Sequence, residues 1–118
     1  MQNLRKFSIF PDKKIRFVLD KIKSTGNRSL IVVDKEKKLL GSISDGDIRR
    51  ALLRGVKLSE SIKGLYNKKP KFFYSYNYSL SKIKKIFLKE QIGLIPLVNS
   101  ENEIVKIVTW DNIFKKKK

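Results

Sequence analysis

Apolar residues follow two alternating rhythms along this chain. Ile15, Val18, Leu19 and Ile22 stand at i, i+3, i+4 and i+7, the spacing that gathers side chains on one face of a helix. Asp12 is placed to cap the start of that helix, and Gly26 to end it in a left-handed conformation. Leu30–Val33, short and rich in β-branched residues, predicts a buried strand. A charged turn, Asp34 to Lys38, leads into a second strand at Leu39–Ile43. A helix from Asp47 to Arg54 follows, with Ile48, Ala51 and Leu52 as its apolar face and Gly55 as its stop. Further on, Ser79 caps a helix carrying Leu80, Ile83, Ile86 and Phe87. Gly93 is expected to end it before strands at 94–98 and 104–109.

The same pattern thus occurs twice, and a shift of 65 residues superposes the copies without a gap. Leu30-Ile31-Val32-Val33-Asp34 falls on Ile95-Pro96-Leu97-Val98-Asn99, Ile43-Ser44 on Val108-Thr109, and Asp47-Ile48 on Asn112-Ile113. Ile15, Val18 and Ile22 meet Leu80, Ile83 and Phe87. Two unrelated helix–strand patterns would need gaps to align this far, so the chain is read as a tandem repeat, 1–58 and 59–118.

Composition narrows the function. Hydrophobic residues make up 41% of the 118, enough for a real core. No apolar run approaches the roughly 20 residues of a membrane span, and Met1 to Phe10 lacks the marks of a signal peptide. Cysteine and histidine are absent, which removes disulfides, thiolate metal sites and the commonest general base. No paired carboxylates sit with a base or metal, so a self-contained enzyme is not expected. A cytoplasmic location is.

A net charge of +17 attracts phosphate. The 28 basic residues are mostly lysines scattered over helices, turns and tail, which reads as compositional bias more than as a nucleic-acid stripe. Between the repeats, Phe72-Phe73-Tyr74-Ser75-Tyr76-Asn77-Tyr78 offers either a stacking platform for bases or an extended linker that buries its rings on two small sheets. Burial is the expectation, because neither half has enough apolar surface to stand alone.

Chemistry concentrates where the second strand of the first repeat enters its helix, at Gly41-Ser42-Ile43-Ser44-Asp45-Gly46-Asp47. A helix start presents unpaired N–H groups to a phosphate. Ser44 adds a hydroxyl, Asp47 offers two oxygens to the vicinal hydroxyls of a ribose, and Arg28 is expected to approach with a phosphate-matching fork. The plainer alternative makes Ser44 or Asp45 an N-cap and Asp47 a first-turn acid.

Glycine, a hydrophobic pair, Ser/Thr, two variable residues and Asp/Asn, opening a helix after a strand, resembles the nucleotide-binding signature of CBS domains, which occur as tandem pairs called Bateman modules. The first copy departs from it at Ser42. The second, Lys106 to Asn112, keeps Thr109 and Asn112 but has Lys106 for the glycine, a bulky Trp110, and Gly93 at the position of Arg28. The resemblance implies an α/β (α+β) fold of two βαββα-type repeats about a pseudo-two-fold axis, often dimerised into a disc. It further implies an adenosine ligand, AMP, ADP, ATP or S-adenosylmethionine, whose occupancy biases a neighbouring catalytic domain. The implied ligand-binding set is Arg28, Ser44, Gly46, Asp47, Ile95, Pro96, Thr109 and Asn112, with the first motif's cleft favoured.

The run Leu40 to Gly55 is similar to CBS pairs on sugar-phosphate nucleotidyltransferases and on arabinose-5-phosphate isomerases. Met1 stands almost directly before the first repeat, which matches the nucleotidyltransferases, where the pair comes first. The expectation is therefore a regulatory, homodimeric module attached to a nucleotidyltransferase. A nucleic-acid-binding basic domain and a structural dimerisation module are the alternatives.

Overall fold

A computed structural model describes residues 2–90 and 92–114. A short helix α1 (Gln2–Phe7) precedes the first repeat, β1 (Ser8–Ile9), α2 (Ile15–Thr25), β2 (Ser29–Val33), β3 (Leu39–Ser44) and α3 (Asp45–Leu53). The second repeat is β4 (Phe73–Tyr74), α4 (Leu80–Glu90), β5 (Leu94–Val98), β6 (Ile104–Thr109) and α5 (Trp110–Phe114). Each repeat is therefore βαββα, and every element of the second starts 65 residues after its counterpart.

The hydrogen bonding repeats as well. Each repeat makes a three-stranded sheet, β1-β2-β3 and β4-β5-β6, with a parallel first pair and an antiparallel second pair. Ser29 pairs with Ser44 as Leu94 pairs with Thr109, and the register slips at Val32/Val33 as it does at Leu97/Val98. The two-residue strands β1 and β4 went unseen in the sequence because two residues cannot show an alternation.

Three apolar clusters hold the molecule together. Ile15, Val18, Ile43 and Ile48 lie at the centre of the first repeat, and Ile83, Phe87, Ile95 and Val108 at that of the second. The third joins the repeats: Leu4 and Phe7 of α1 pack with Ile31, Val33, Leu94, Val98, Ile104 and Ile107 from both sheets. The β2–β3 and β5–β6 turns then interlock. Leu39 N–H donates to the Asn102 carbonyl at 3.0 Å, and Ile104 N–H to the Lys37 carbonyl at 2.9 Å. Each bond maps onto the other under the 65-residue shift, so a pseudo-two-fold axis passes between Lys38 and Glu103, which form an isolated bridge.

Several local expectations change. Asp12 does not cap α2: Lys14 is the N-cap residue, without a side-chain bond. The first N–H groups are met instead by the inter-repeat segment, with Ile15 N–H donating to the Glu60 carbonyl and Arg16 N–H to that of Leu58. Gly26 does end α2, at φ 72°. Helix α3 begins at Asp45, two residues early, because Ser44 is its N-cap. Helix α4 is described over Leu80–Glu90, and at Gly93 beyond it the missing side chain makes room for Asn27.

The linker divides in two. Its first part docks on the first repeat through Ile62, which is fully buried, with Leu65 and Tyr66 beside it. The aromatic run does not follow suit. Phe73 turns inward from the edge strand β4, while Phe72, Tyr74, Tyr76 and Tyr78 stay exposed. On a strand, alternate residues point to opposite faces, so one inward ring leaves its neighbours outside. Tyr74 stacks on Tyr76 at 5.2 Å between ring centroids, and Phe72 meets Tyr74 edge-on at 5.5 Å.

Candidate functional site

The first motif folds on itself. Asp47 N–H donates to Ser44 Oγ at 3.1 Å, and Ser44 N–H donates to Asp47 Oδ2 at 2.9 Å, a reciprocal capping box. Arg50 Nη2 donates to the other oxygen, Asp47 Oδ1, at 2.8 Å. Asp45 N–H is met by the Arg28 carbonyl at 2.9 Å. Gly46 keeps the first turn of α3 free of a side chain. The second motif copies the arrangement, with Thr109 N–H donating to Asn112 Oδ1 at 2.9 Å and Asn112 N–H to Thr109 Oγ1 at 3.2 Å. Trp110 N–H is met by the Gly93 carbonyl at 2.9 Å, as Asp45 is by Arg28.

Two clefts lie between the repeats, and they divide the expected residues. The smaller, about 320 Å³, has Ser44 and Asp47 on one wall, Ile92 and Leu94 opposite, and Lys69 and Lys71 from the linker at its side. The larger, about 690 Å³, is bordered by Arg28, Thr109, Trp110 and Asp111, with Lys6 and Phe7 of α1 closing one side. Arg28 therefore does not join Ser44 and Asp47. Its carbonyl holds the α3 start, and the residue borders the cleft of the second motif. The repeats are crossed: the first supplies Arg28, the second Thr109.

The remaining expected residues are dispersed. Ile95 is fully buried in the core of the second repeat, and Pro96 is buried beside it on β5; neither borders these two clefts. Asn112 borders a third groove, on the outer face of the second repeat. Lys6, Lys69, Lys71 and Asp111 border the inter-repeat clefts and were not singled out in the sequence. Only the packing of the two sheets shows that these residues converge, although Lys68-Lys69-Pro70-Lys71 was visible as a basic run broken by proline.

Electrostatics favour an anion in the larger cleft, where Lys6 and Arg28 outnumber Asp111. Lys21 secures the helix that brings Lys6 there. Its ammonium donates to the Ser8 carbonyl at 2.6 Å and to that of Arg5 at 3.0 Å. Its pKa is lowered by burial first, then by the neighbouring charges of Lys13 and Arg5. Among the described residues no cluster of His, Cys, Asp or Glu could hold a metal, and no helix is long and apolar enough to cross a membrane.

Two equal βαββα repeats, each with a Ser/Thr–Asp/Asn capping box opening a helix, define a class of paired domains. The CBS domain family matches residues 4–54 and 64–118, and the chain belongs to it as a tandem pair. An uncharacterized protein of Helicobacter pylori is 32% identical over 80 residues, 68% of this chain and 24% of that protein. Inosine-5'-monophosphate dehydrogenase of Aquifex aeolicus is 26% identical over 111 residues, 94% of this chain and 22% of the enzyme. This chain thus spans about a quarter of the length of these relatives. A CBS domain protein of Pyrobaculum aerophilum, solved in complex with AMP, shares the fold at a TM-score of 0.72 and 15% identity, over 93% of this chain and 84% of that one.

Proposed function

We propose that this CBS pair binds an adenine nucleotide or S-adenosylmethionine in the larger inter-repeat cleft. Occupancy biases an attached catalytic domain, which the motif resemblance assigns to the sugar-phosphate nucleotidyltransferases. The observation that carries the reading is the crossed pairing of Arg28 with Thr109 in a cleft of about 690 Å³. That volume falls in the range of small-molecule sites, roughly 300–1,000 Å³. Arg28 and Lys6 suit a phosphate, the Asp111 carboxylate suits ribose hydroxyls, and Trp110 with Phe7 supplies apolar surface for a base. Ser44, Gly46 and Asp47 serve a second, tighter cleft whose phosphate partners are Lys69 and Lys71. The P. aerophilum relative's complex with AMP supports the choice of ligand.

Because the larger cleft draws on both repeats, a ligand there is sensitive to their relative placement, which is how binding would couple to an attached domain. The exposed Phe17, Leu53 and Leu88 support association with a second pair. Nucleotide supply favours a cytoplasmic setting. Calorimetric titration with AMP, ADP, ATP and S-adenosylmethionine tests the reading. Saturable binding of one of them is expected; no heat with any of the four would leave a dimerisation module.

A second reading rests on the exposed Phe72–Tyr74–Tyr76 ladder, which suits stacked bases and lies beside Lys68, Lys69 and Lys71. Affinity for single-stranded oligonucleotides that falls steeply with salt and is lost in Tyr74→Ala/Tyr76→Ala would favour it.

A further inference from the structure

The starts of the two motif helices are joined by one chain of hydrogen bonds that crosses between the repeats. Trp110 N–H, opening α5, donates to the Gly93 carbonyl at 2.9 Å. That carbonyl also receives the Asn27 side chain, whose Nδ2 lies 3.4 Å away. Asn27 Oδ1 accepts from Arg28 N–H at 3.1 Å. The Arg28 carbonyl in turn accepts from Asp45 N–H, opening α3, at 2.9 Å. The path thus runs from the helix start beside Thr109 to the helix start beside Ser44. Its other members are backbone groups, so the Asn27 amide is the one side chain in it, and it is the step that passes from repeat to repeat.

Local sequence places that amide. Gly26 ends α2 at φ 72° and reverses the chain. Thr25 Oγ1 donates to the Ile22 carbonyl at 2.8 Å and accepts from Asn27 N–H at 3.0 Å, which ties the backbone of Asn27 to the last turn of the helix. Across the interface, a Cβ on Gly93 would come within 2.8 Å of Asn27 Oδ1 and 3.3 Å of Nδ2. Glycine therefore makes the seat in which the amide lies. The arrangement occurs once in the pair: 65 residues on, Asn27 becomes Ile92 and Arg28 becomes Gly93. Isoleucine has no polar side-chain atom with which to repeat the link.

The path also joins the clefts. Asn27, Arg28 and Gly93 border the larger one, while Ser44 and Asp47, on either side of Asp45, border the smaller. At 3.4 Å the Asn27–Gly93 contact is longer than the usual N–H···O range of roughly 2.7–3.2 Å. A small closure of one repeat on the other strengthens it, and a small opening breaks it.

We propose that Asn27 is a positioning residue that relays occupancy of the larger cleft to the Ser44–Asp47 wall of the smaller one. Closure of the repeats on a ligand shortens the Asn27–Gly93 contact, and the Arg28 peptide carries the shift to Asp45. The coupling is reciprocal, so a ligand in the smaller cleft acts back on the larger. The trigger rests on the nucleotide site proposed above, whereas the relay is a property of the unliganded chain and is tested there as well.

Amide NMR spectra of the whole chain read both. Without ligand, Gly93→Ala is expected to push the Asn27 amide aside and shift the Arg28 and Asp45 resonances. In the Asn27→Ala background the same substitution should leave Asp45 unmoved, because no amide remains to displace. Saturating AMP should shift Thr109–Asp111 and Ser44–Asp47 in the parent. In Asn27→Ala, shown folded by its thermal melt, the first set should still respond and the second should lose most of its shift. Asn27→Asp, which keeps the acceptor for Arg28 N–H but not the donor to Gly93, should behave like Asn27→Ala. An Asp45 resonance that ignores Gly93→Ala, or that moves equally with and without Asn27, overturns the proposal. So does an AMP response at Ser44–Asp47 that survives in Asn27→Ala. No response to AMP anywhere in the parent counts against the nucleotide site, and the paired Gly93→Ala spectra then decide the relay by themselves.

Discussion

Lys37 and Asn102 occupy the same left-handed backbone conformation, at φ 67° and 66°, and each gives its carbonyl to a strand of the opposite repeat. They are the two halves of one clasp across the pseudo-two-fold axis. Asn102 suits its position, because asparagine tolerates this region and its Nδ2 also donates to the Leu39 carbonyl at 3.0 Å. Lysine has no such compensation. Lys37→Gly is therefore expected to stabilise the fold by up to about 1 kcal/mol, by relieving the Cβ clash. Asn102→Ala should destabilise it by about 1–2 kcal/mol, from one lost hydrogen bond and added backbone strain. Urea unfolding of the two variants reads both signs; equal effects would deny the asymmetry within the clasp.

Gly41 is part of the nucleotide-binding pattern in the sequence, yet in the fold it is a packing residue. Asn67 exchanges two hydrogen bonds with Ser42, at 2.8 and 3.0 Å, and brings Tyr66 down on Gly41. Gly41→Ala should force the linker off β3 and destabilise the chain by about 1–3 kcal/mol, as overpacking does. Hydrogen exchange should quicken at the Ser42 and Asn67 amides while the β5–β6 ladder remains protected.

Much of this was legible in the sequence, because one offset carried apolar spacing, turn chemistry and capping residues together. Asp34 and Asn99 each take two backbone N–H groups on Oδ1 to shape the β-turns, and Ser44/Asp47 and Thr109/Asn112 form matching boxes. These are local interactions, so residue type reveals them. The clefts were less legible, since they depend on how two sheets cross. Arg28 precedes β2 in the chain, but the crossing brings it to the same cleft as Thr109. The linker posed the same difficulty: Ile62 and Tyr76 look alike as apolar residues among lysines, and only tertiary contact buries one and exposes the other.

Lys21 makes stability depend on alkaline pH in a specific direction. Burial lowers its pKa in the folded state below the ordinary 10.5, so over that interval the unfolded chain holds more protons. Stability then rises with pH between the lowered value and 10.5 as the charge penalty in the folded state is relieved. Below the interval the penalty is fully present and constant. Lys21→Met removes this contribution, so the parent should gain stability relative to the variant as pH climbs through the interval. A difference in unfolding free energy that stays flat there, or narrows in the other sense, would assign the lowered pKa no thermodynamic role.

Substitutions in the two clefts should separate their roles. Arg28→Ala removes a cation from the larger cleft, and hydrogen bonds to charged groups contribute about 1.5–3 kcal/mol. Nucleotide affinity should then fall by about tenfold or more, since roughly 1.4 kcal/mol is a factor of ten. The Arg28 carbonyl, which holds Asp45 N–H, is unaffected, so stability should change little. Asp47→Ala acts differently. It breaks the capping box and the Arg50 ion pair, and should destabilise α3 by about 1 kcal/mol. Its effect on nucleotide binding should be smaller than that of Arg28→Ala, because Asp47 faces the smaller cleft and both its oxygens are already engaged. Isothermal titration of both variants beside the parent, with thermal melts on the same samples, distinguishes the clefts. If Asp47→Ala abolishes binding while Arg28→Ala leaves it intact, the nucleotide belongs to the smaller cleft with Ser44, Lys69 and Lys71.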